Sequence, residues 1–586
     1  MGMVKLTATD MSMKMPVREL NLSGIAHHLL GLCLALVGVS GEQAWAQGQA
    51  QPAPSQNANP GFETDAPLTP QGPQAPLAPQ GPQAPKAPVG PGMNSAMDAA
   101  AQELTGSEPP KRAFYVQTSV GALETYSDNM HLNAANRQSG LISSLDGSLS
   151  VVVDGKHLNG YLLYDPGALL YSSGGGNQWV NTLASHGTYE AFDQHFFLDE
   201  SASISHQSTS AFATQSAVLG ATNSNLTEVG SLSLTPRVAT HLGPDVDFNA
   251  QATTSVTRAK GTDLGDVNYT NYTASLADSH KEAKVGWSVN YTEDQSNFKA
   301  NASTQQAERL YAALMFRPDP DVDLAVRAGK ERDNYLTTNA TTSNTYGLDA
   351  NWTPSPRTQL TSSWDSHDYG NSYTLKAQYR MQRSMFSLSD TRAVNVNGSP
   401  QTSLGQTYFN LFYALYAGSV PDPAQRTSFV NALLASMGLN PNSPAVAGFL
   451  AAGLTMTHQV AATYTLRGIR DTFTGMLFSS TSSVLGPSGS ASGDLSISSF
   501  VRQRGVNLNL AHQMSAQTSA VVNLLYQHTE GSVADLSNTM KSLTASMNTK
   551  LGMRTDASLG LRRTEFESSL QPYTENALYG SIQRRF

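Results

Sequence analysis

The 586 residues include 13 histidines, 45 Asp+Glu and 36 Lys+Arg with which acid–base, nucleophilic or metal chemistry could be done. Their spacing yields no HExxH, no GxSxG, no P-loop and no clustered Cys/His ligand set. His195 and His206 lie near each other without partner spacing and read as polar lining or loop residues. Asp128 and Asn129 carry oxygens that suit calcium, yet an adjacent Asx pair reads more simply as a turn. No catalytic residue, metal site or cofactor is expected, and the chain is not expected to be an enzyme. The charges left over, Asp323, Arg327, Asp349, Lys376 and Arg380, fall on the polar face of alternating segments. Lining a lumen, charges of both signs would shape a permeation field; the plainer alternative is a solvated lining.

Those residues need elements to hold them, and composition narrows the choice. Charged residues make up 14% of the chain, against roughly 25% for soluble domains, and the filler is Ser, Thr, Asn, Gln and Gly. The net charge of −9 argues against a nucleic-acid partner, and one cysteine excludes a disulfide scaffold. The mean hydropathy of −0.29 leaves no room for several apolar helices of membrane length. Low charge with polar filler suits the outer-membrane β-barrel, whose strands alternate apolar and polar positions.

From Ala113 onward the period is two. Val246, Phe248, Ala250 and Ala252 share one face; Val322, Leu324, Val326 and Ala328 oppose Asp323 and Arg327; Tyr373, Leu375, Ala377 and Tyr379 oppose Lys376 and Arg380. Short turns such as Asp154-Gly155-Lys156 and Pro354-Ser355-Pro356 alternate with long polar loops, placed at Ser127–Gly140, Gln207–Thr227 and Asp294–Gln305. Short turns at one end and long loops at the other are the outer-membrane arrangement. The fold class is therefore all-β, a transmembrane antiparallel barrel of about 22 strands over 113–586. Fourteen strands precede Gln382, one covers about Met385–Val394, and seven follow Thr457. The last, Asn576–Phe586, puts Leu578, Gly580, Ile582 and Phe586 on one face, a strand suited to the barrel-insertion machinery, with Arg584 interrupting it.

One segment, 397–455, breaks the period. Asp422 is an N-cap followed by Pro423, and Phe429, Val430, Leu433, Leu434 and Met437 form an apolar helical stripe ending at Gly438. Ser443-Pro444 opens a second helical piece through Leu454. The insert is expected on the extracellular side, with Phe429, Leu433, Leu434 and Met437 forming a plug or constriction; the alternative is a solvent-facing cap. Ahead of the barrel, residues 1–46 read as a signal peptide: Lys14 and Arg18, an apolar run from Leu29 to Val39, then Ala44-Trp45-Ala46. Residues 47–112 form a Pro/Gln/Ala-rich linker expected to be disordered, holding most of 14 of the 29 prolines in a repeat of nine. It reads as a periplasmic spacer or a docking arm.

Several short motifs stand out: Tyr126-Ser127-Asp128-Asn129 after the first strand and Leu141-Ile142 opening the second. Pro421-Asp422-Pro423 with Arg426 precedes the helix, and Arg467-Gly468-Ile469-Arg470-Asp471-Thr472 marks the turn after it. Together they resemble the outer-membrane β-barrel family associated with PEP-CTERM and exopolysaccharide gene clusters, over most of 113–586 but not the linker. The resemblance implies a barrel serving secreted-polysaccharide machinery, with no catalytic residues to carry over. Three functions are expected in order: a pore for exopolysaccharide export or passage, a general small-solute porin, and a scaffold whose proline-rich arm binds periplasmic partners. Outer-membrane lipid and the insertion machinery are the expected partners, with polysaccharide or its secretion components beside them.

Overall fold

The computed structural model describes residues 114–173, 176–192, 194–216, 223–280, 283–395, 430, 448–486 and 492–586. The signal peptide, the proline-rich linker, Pro421-Asp422-Pro423, Arg426 and the stripe residues Phe429, Leu433, Leu434 and Met437 lie outside the described residues.

Twenty-two antiparallel strands run in chain order. The first eight are β1 (Phe114–Ser127), β2 (Gly140–Asp154), β3 (Leu158–Tyr171), β4 (Gln178–Phe192), β5 (Phe196–Ser208), β6 (Leu226–His241), β7 (Val246–Ala259) and β8 (Val267–Asp278). Then come β9 (Val285–Phe298), β10 (Ser303–Asp319), β11 (Val322–Asp333), β12 (Thr341–Ser355), β13 (Thr358–His367), β14 (Gly370–Arg380) and β15 (Ser384–Asn395). The last seven are β16 (Thr455–Arg467), β17 (Asp471–Val484), β18 (Phe500–Gln513), β19 (Thr518–Gly531), β20 (Ser537–Lys550), β21 (Thr555–Ser568) and β22 (Tyr573–Arg585). A four-residue helix, α1 (Asp494–Ile497), lies between β17 and β18. Each strand pairs with the next, and β1 pairs with β22 from Ser119↔Arg585 to Ser127↔Ala577, closing the barrel. Closure removes the two edges an open sheet would leave unpaired.

The alternating residues settle which face is which. On β11, Leu324 and Val326 point outward at 41% and 58% exposure, whereas Arg327, Glu331 and Asp333 are buried inside. Trp287, Phe316, Trp352, Tyr379 and Phe386 face outward near the short-turn end, an aromatic girdle at one interface. Three register shifts sit at that same end, at Glu190/Phe192, Phe316/Asp319 and Trp352/Ser355. Pro318 and Pro354 occupy the last two, where no ladder donor is needed.

Two expectations change. The segment Asp294–Gln305 is almost all strand: β9 runs to Phe298 and β10 begins at Ser303. Alternate residues, Asp294, Ser296 and Gln305, face the lumen, where Asp294 accepts hydrogen bonds from Tyr269 (2.6 Å) and Asn271 (2.9 Å), while Gln295, Asn297 and Thr304 are on the outward face. The expected second helical piece is not helical over Gly448–Leu454, and the interruption of the period runs between Asn395 and Thr455. The Leu450 N–H donates to the Ser208 carbonyl (2.9 Å) and the Leu485 N–H to the Leu454 carbonyl (3.0 Å), so this backbone bonds to other segments instead of to itself. Val430, further back in the insert, is helical and buried.

Candidate functional site

The lumen wall of β9–β13 is a charged face built by register. Arg317 Nε donates to Asp323 (3.0 Å) nearest the short turns. Midway, Arg327 reaches Asp349 (2.8 Å) and Asp365 (3.0 Å) with one nitrogen and lies 5.7 Å from the Tyr311 ring centroid. Toward the long loops, Arg309 bridges Asp294 (3.2 Å) and Glu331 (2.5 Å), and His367 meets Glu331 (2.5 Å) while stacking on Tyr369 at 4.6 Å. Lys376 and Arg380 face the lumen on β14; Lys376 has no ion pair among the described residues. Asp365, Arg309, Asp294, Glu331 and His367 escape a reading of single strands, although Arg309 stands in period two with Tyr311 and Ala313.

The wall of β17–β19 is different. Among the described residues, no lumen-facing position of these three strands is charged. One row across it is Thr465, Thr474, Asn509 and Asn523; another is Gln459, Ser480, Gln503 and Thr529. The hydroxyls of Thr465, Thr474, Ser480, Ser482 and Thr529 are buried without a hydrogen-bond partner, as are side-chain amide atoms of Gln503, Asn509 and Gln527. At Gly505 a Cβ would collide with the Tyr526 carbonyl oxygen and sit 2.7 Å from the Phe478 ring. The backbone there needs glycine because the neighbouring strand's carbonyl and the ring together occupy the side-chain space.

The long-loop end is bridged by a folded cap. The β5–β6 loop leaves Ser208 and reaches strands five to seven positions around the ring. Asn538 on β20 donates to the Ala211 carbonyl (2.8 Å), Thr214 donates to Gln571 (2.7 Å), and the Tyr573 hydroxyl on β22 donates to the Gln215 carbonyl (2.6 Å). Asp494 in α1 holds the loop: its carboxylate accepts from the Ser210 hydroxyl (2.7 Å) and the Ala211 N–H (2.5 Å). Burial raises the Asp494 carboxyl above its ordinary value, opposed by those two hydrogen bonds. Phe212, Phe449, Ala451, Leu495 and Val501 form one apolar cluster. A second joins Val267 on β8 to Leu485 just past β17, nine strands away on a ring of 22, through Leu454, Phe298 and Tyr335. Opposite sides of the mouth thus meet through side chains. Burial of large apolar groups there contributes roughly 1.5–3 kcal/mol per residue, enough to hold a loop of this length.

The Ser127-Asp128-Asn129 run turns out to lock the seam. Ser127 donates to Glu575 (2.8 Å), Asp128 accepts the Asn576 N–H (2.8 Å) and amide (2.8 Å), and Asn129 donates to the Thr574 carbonyl (3.0 Å). Glu575 is held by Arg562 (3.0 Å) on β21. At the other end of the seam, the Phe586 N–H donates to Thr118 (2.9 Å), with Arg584 5.9 Å from the Phe586 ring. Leu578 and Ile582 face outward at 47% and 51% exposure. The run Arg467–Thr472 forms the β16–β17 turn, closed by Gly468 N–H to the Asp471 carbonyl (2.6 Å). His195 sits at a short turn, and His206 is buried on β5 on the face it shares with Leu198, Ala202 and Ile204, which by register is the outward face and not the expected lumen lining. Among the described residues no group of His, Cys, Asp and Glu has the arrangement of a metal site.

An even-numbered, closed, antiparallel barrel with an apolar outside and a polar inside is an integral protein of the Gram-negative outer membrane. No protein-family profile matches the chain, and no curated protein matches it. Similar solved structures include the ferric-catecholate import receptor Fiu from Escherichia coli K12 in its closed form (9% identity, TM-score 0.41, 80% of this chain and 82% of that one). The siderophore receptor PirA from Pseudomonas aeruginosa matches at 13% identity and TM-score 0.29, over 80% of each chain. OccK5 (OpdH) from the same organism matches at 9% and 0.27, over 80% of this chain and 98% of that one. Likeness at this level carries nothing about ligands.

Proposed function

We propose that this barrel is a gated pore for a neutral, hydroxyl-rich solute, an exopolysaccharide chain or its oligomers, and that it performs no chemistry on it. The observation carrying this reading is the uncharged wall of β17–β19. Its unpartnered hydroxyls and amides are the donors and acceptors with which a hydrated sugar exchanges hydrogen bonds at little net cost. A wall of fixed charges would hold counterions instead. The folded cap supports a gate, since the β5–β6 loop is held by a discrete set of contacts: the Asp494 carboxylate, hydrogen bonds with Asn538, Gln571 and Tyr573, and one apolar cluster. The resemblance of the Tyr126–Asn129 and Arg467–Thr472 motifs to barrels of exopolysaccharide clusters points the same way.

The test pairs the wild type with Phe212→Ala/Asp494→Ala in planar bilayers and in vesicles loaded for osmotic swelling. The expected result is low conductance for the wild type, with several-fold higher conductance and faster swelling in uncharged oligosaccharides for the variant. Equal conductance in both would reject the gate. Swelling only in small charged solutes would replace the polysaccharide reading with that of a small-solute porin.

A further inference from the structure

A second polar site lies on the outside of the barrel, where lipid is the neighbour. Five side chains stand side by side across five strands by register: Tyr373↔Arg392, Arg392↔His458, His458↔Thr481 and Thr481↔Arg502. All five face outward at the long-loop end of their strands, opposite in parity to the lumen residues Thr457, Ser482 and Gln503. Together with Met456 and Ser483 they line a recess of about 280 Å³.

Most of the charge in this patch is internally matched. His458 Nε2 is 2.9 Å from Asp390 and 3.1 Å from the Tyr373 hydroxyl. Arg502 donates to Glu530 (3.0 Å) and to the Thr481 hydroxyl (3.3 Å), and Arg504 reaches Glu530 at 3.4 Å. That leaves three guanidiniums against two carboxylates, and Arg392 is the one without an ion pair or side-chain hydrogen bond among the described residues. It is half-buried, and one register row nearer the membrane centre than Arg504 the outward positions are Leu388, Ala462, Leu477 and Val506. A half-buried guanidinium facing lipid is expensive to leave alone. Its planar fork matches phosphate oxygens, and the Tyr373 and Thr481 hydroxyls line the same recess, whereas Ser483 donates to the Met456 carbonyl (3.3 Å).

The geometry points to a site for the phosphate of a lipid headgroup in the outer leaflet, with Arg392 as the anchoring cation and Arg502 and the hydroxyls as its support. A headgroup fits better than soluble phosphate because the recess opens beside the apolar band, where a phosphate on an acyl-bearing molecule is carried in by its own chains.

The full-length barrel would be reconstituted with bisphosphorylated lipid A or with the dephosphorylated lipid, extracted into detergent, and the retained lipid read by native mass spectrometry. The phosphorylated form should be retained and the dephosphorylated form lost. Arg392→Ala should lower retention by about tenfold, the loss of a charge-assisted contact. Heat-modifiable migration on gels confirms that the variant is folded, and the wild-type comparison of the two lipids stands even if it is not. Equal retention of both lipids, or retention unchanged in a folded Arg392→Ala barrel, would overturn the site. Displacement by inorganic phosphate at concentrations matching the lipid would also overturn it, assigning the recess to a soluble anion.

Discussion

Across β9–β13 the lumen carries charges that have partners on neighbouring strands, whereas across β17–β19 it carries hydroxyls and amides that mostly have none. Both faces are polar and both face inward, so hydropathy alone treats them as equals. Their energetics differ. Paired charges whose side chains are largely buried stiffen the wall and are costly to break, because removal of one partner strands the other. Unpaired neutral groups cost little to change and remain available to whatever enters. One wall therefore reads as the fixed frame and the other as the contact surface. The cap spans the mouth between them.

The largest effect expected from this contrast follows from Arg327→Ala, which strands Asp349 and Asp365 together. It should destabilise the barrel by about 3–5 kcal/mol, read as a lowered temperature for loss of heat-modifiable migration. Thr474→Val on the other wall should change stability by less than about 1 kcal/mol, because the hydroxyl it removes has no partner. Comparable losses in the two variants would erase the distinction between frame and contact surface.

Assembly should respond next. Removing Phe586, the residue that extends the seam ladder to Thr118, is expected to lower the fraction of folded barrel in cells. Quantifying folded against heat-denatured bands checks it; unchanged assembly would deprive the terminal aromatic of a role in insertion. A smaller effect concerns pH. The folded carboxyl of Asp494 is raised, so its contribution to the cap is fully present below the ordinary carboxylate value of 3.8 and is lost as pH rises through the raised value. Conductance of the wild type should therefore fall on acidification through that window, and Asp494→Asn should flatten the response. The smallest effect belongs to Lys376→Gln, which removes one lumenal cation without an ion pair among the described residues. It should move the reversal potential slightly toward cation preference.

The strand plan was legible because membrane strands repeat a period of two over ten or more residues and because proline and glycine mark their turns. The division of 14, one and seven strands around the interruption follows from that signal alone. Lumen pairing was not legible in the same way. Arg327 and Asp349 could be placed on one face, but Asp365, 38 positions from Arg327, joins them only once the register of β11, β12 and β13 is fixed. The cap was hidden for a related reason. Ala211-Phe212-Ala213 is a three-residue apolar island after a polar stretch, too short for any periodicity, and Phe449, Leu495 and Val501, the partners of Phe212, lie more than 200 residues away. Asp294–Gln305 reads as a loop from sequence because its outward positions Gln295, Asn297 and Thr304 are polar as well as its lumen positions, which removes the contrast that marks a strand.

The central claim, a gated path lined for neutral hydroxyl-rich solutes, is tested most directly by permeation through the uncapped barrel. Vesicles carrying Phe212→Ala/Asp494→Ala would be compared with the same barrel bearing Thr474→Val and Asn509→Leu in addition, using an uncharged oligosaccharide and a carboxylated one of equal length. The account predicts that the neutral sugar enters the uncapped barrel faster than the charged one and that the wall substitutions slow the neutral sugar selectively. Entry at equal rates for both sugars, unaffected by the wall substitutions, would contradict it.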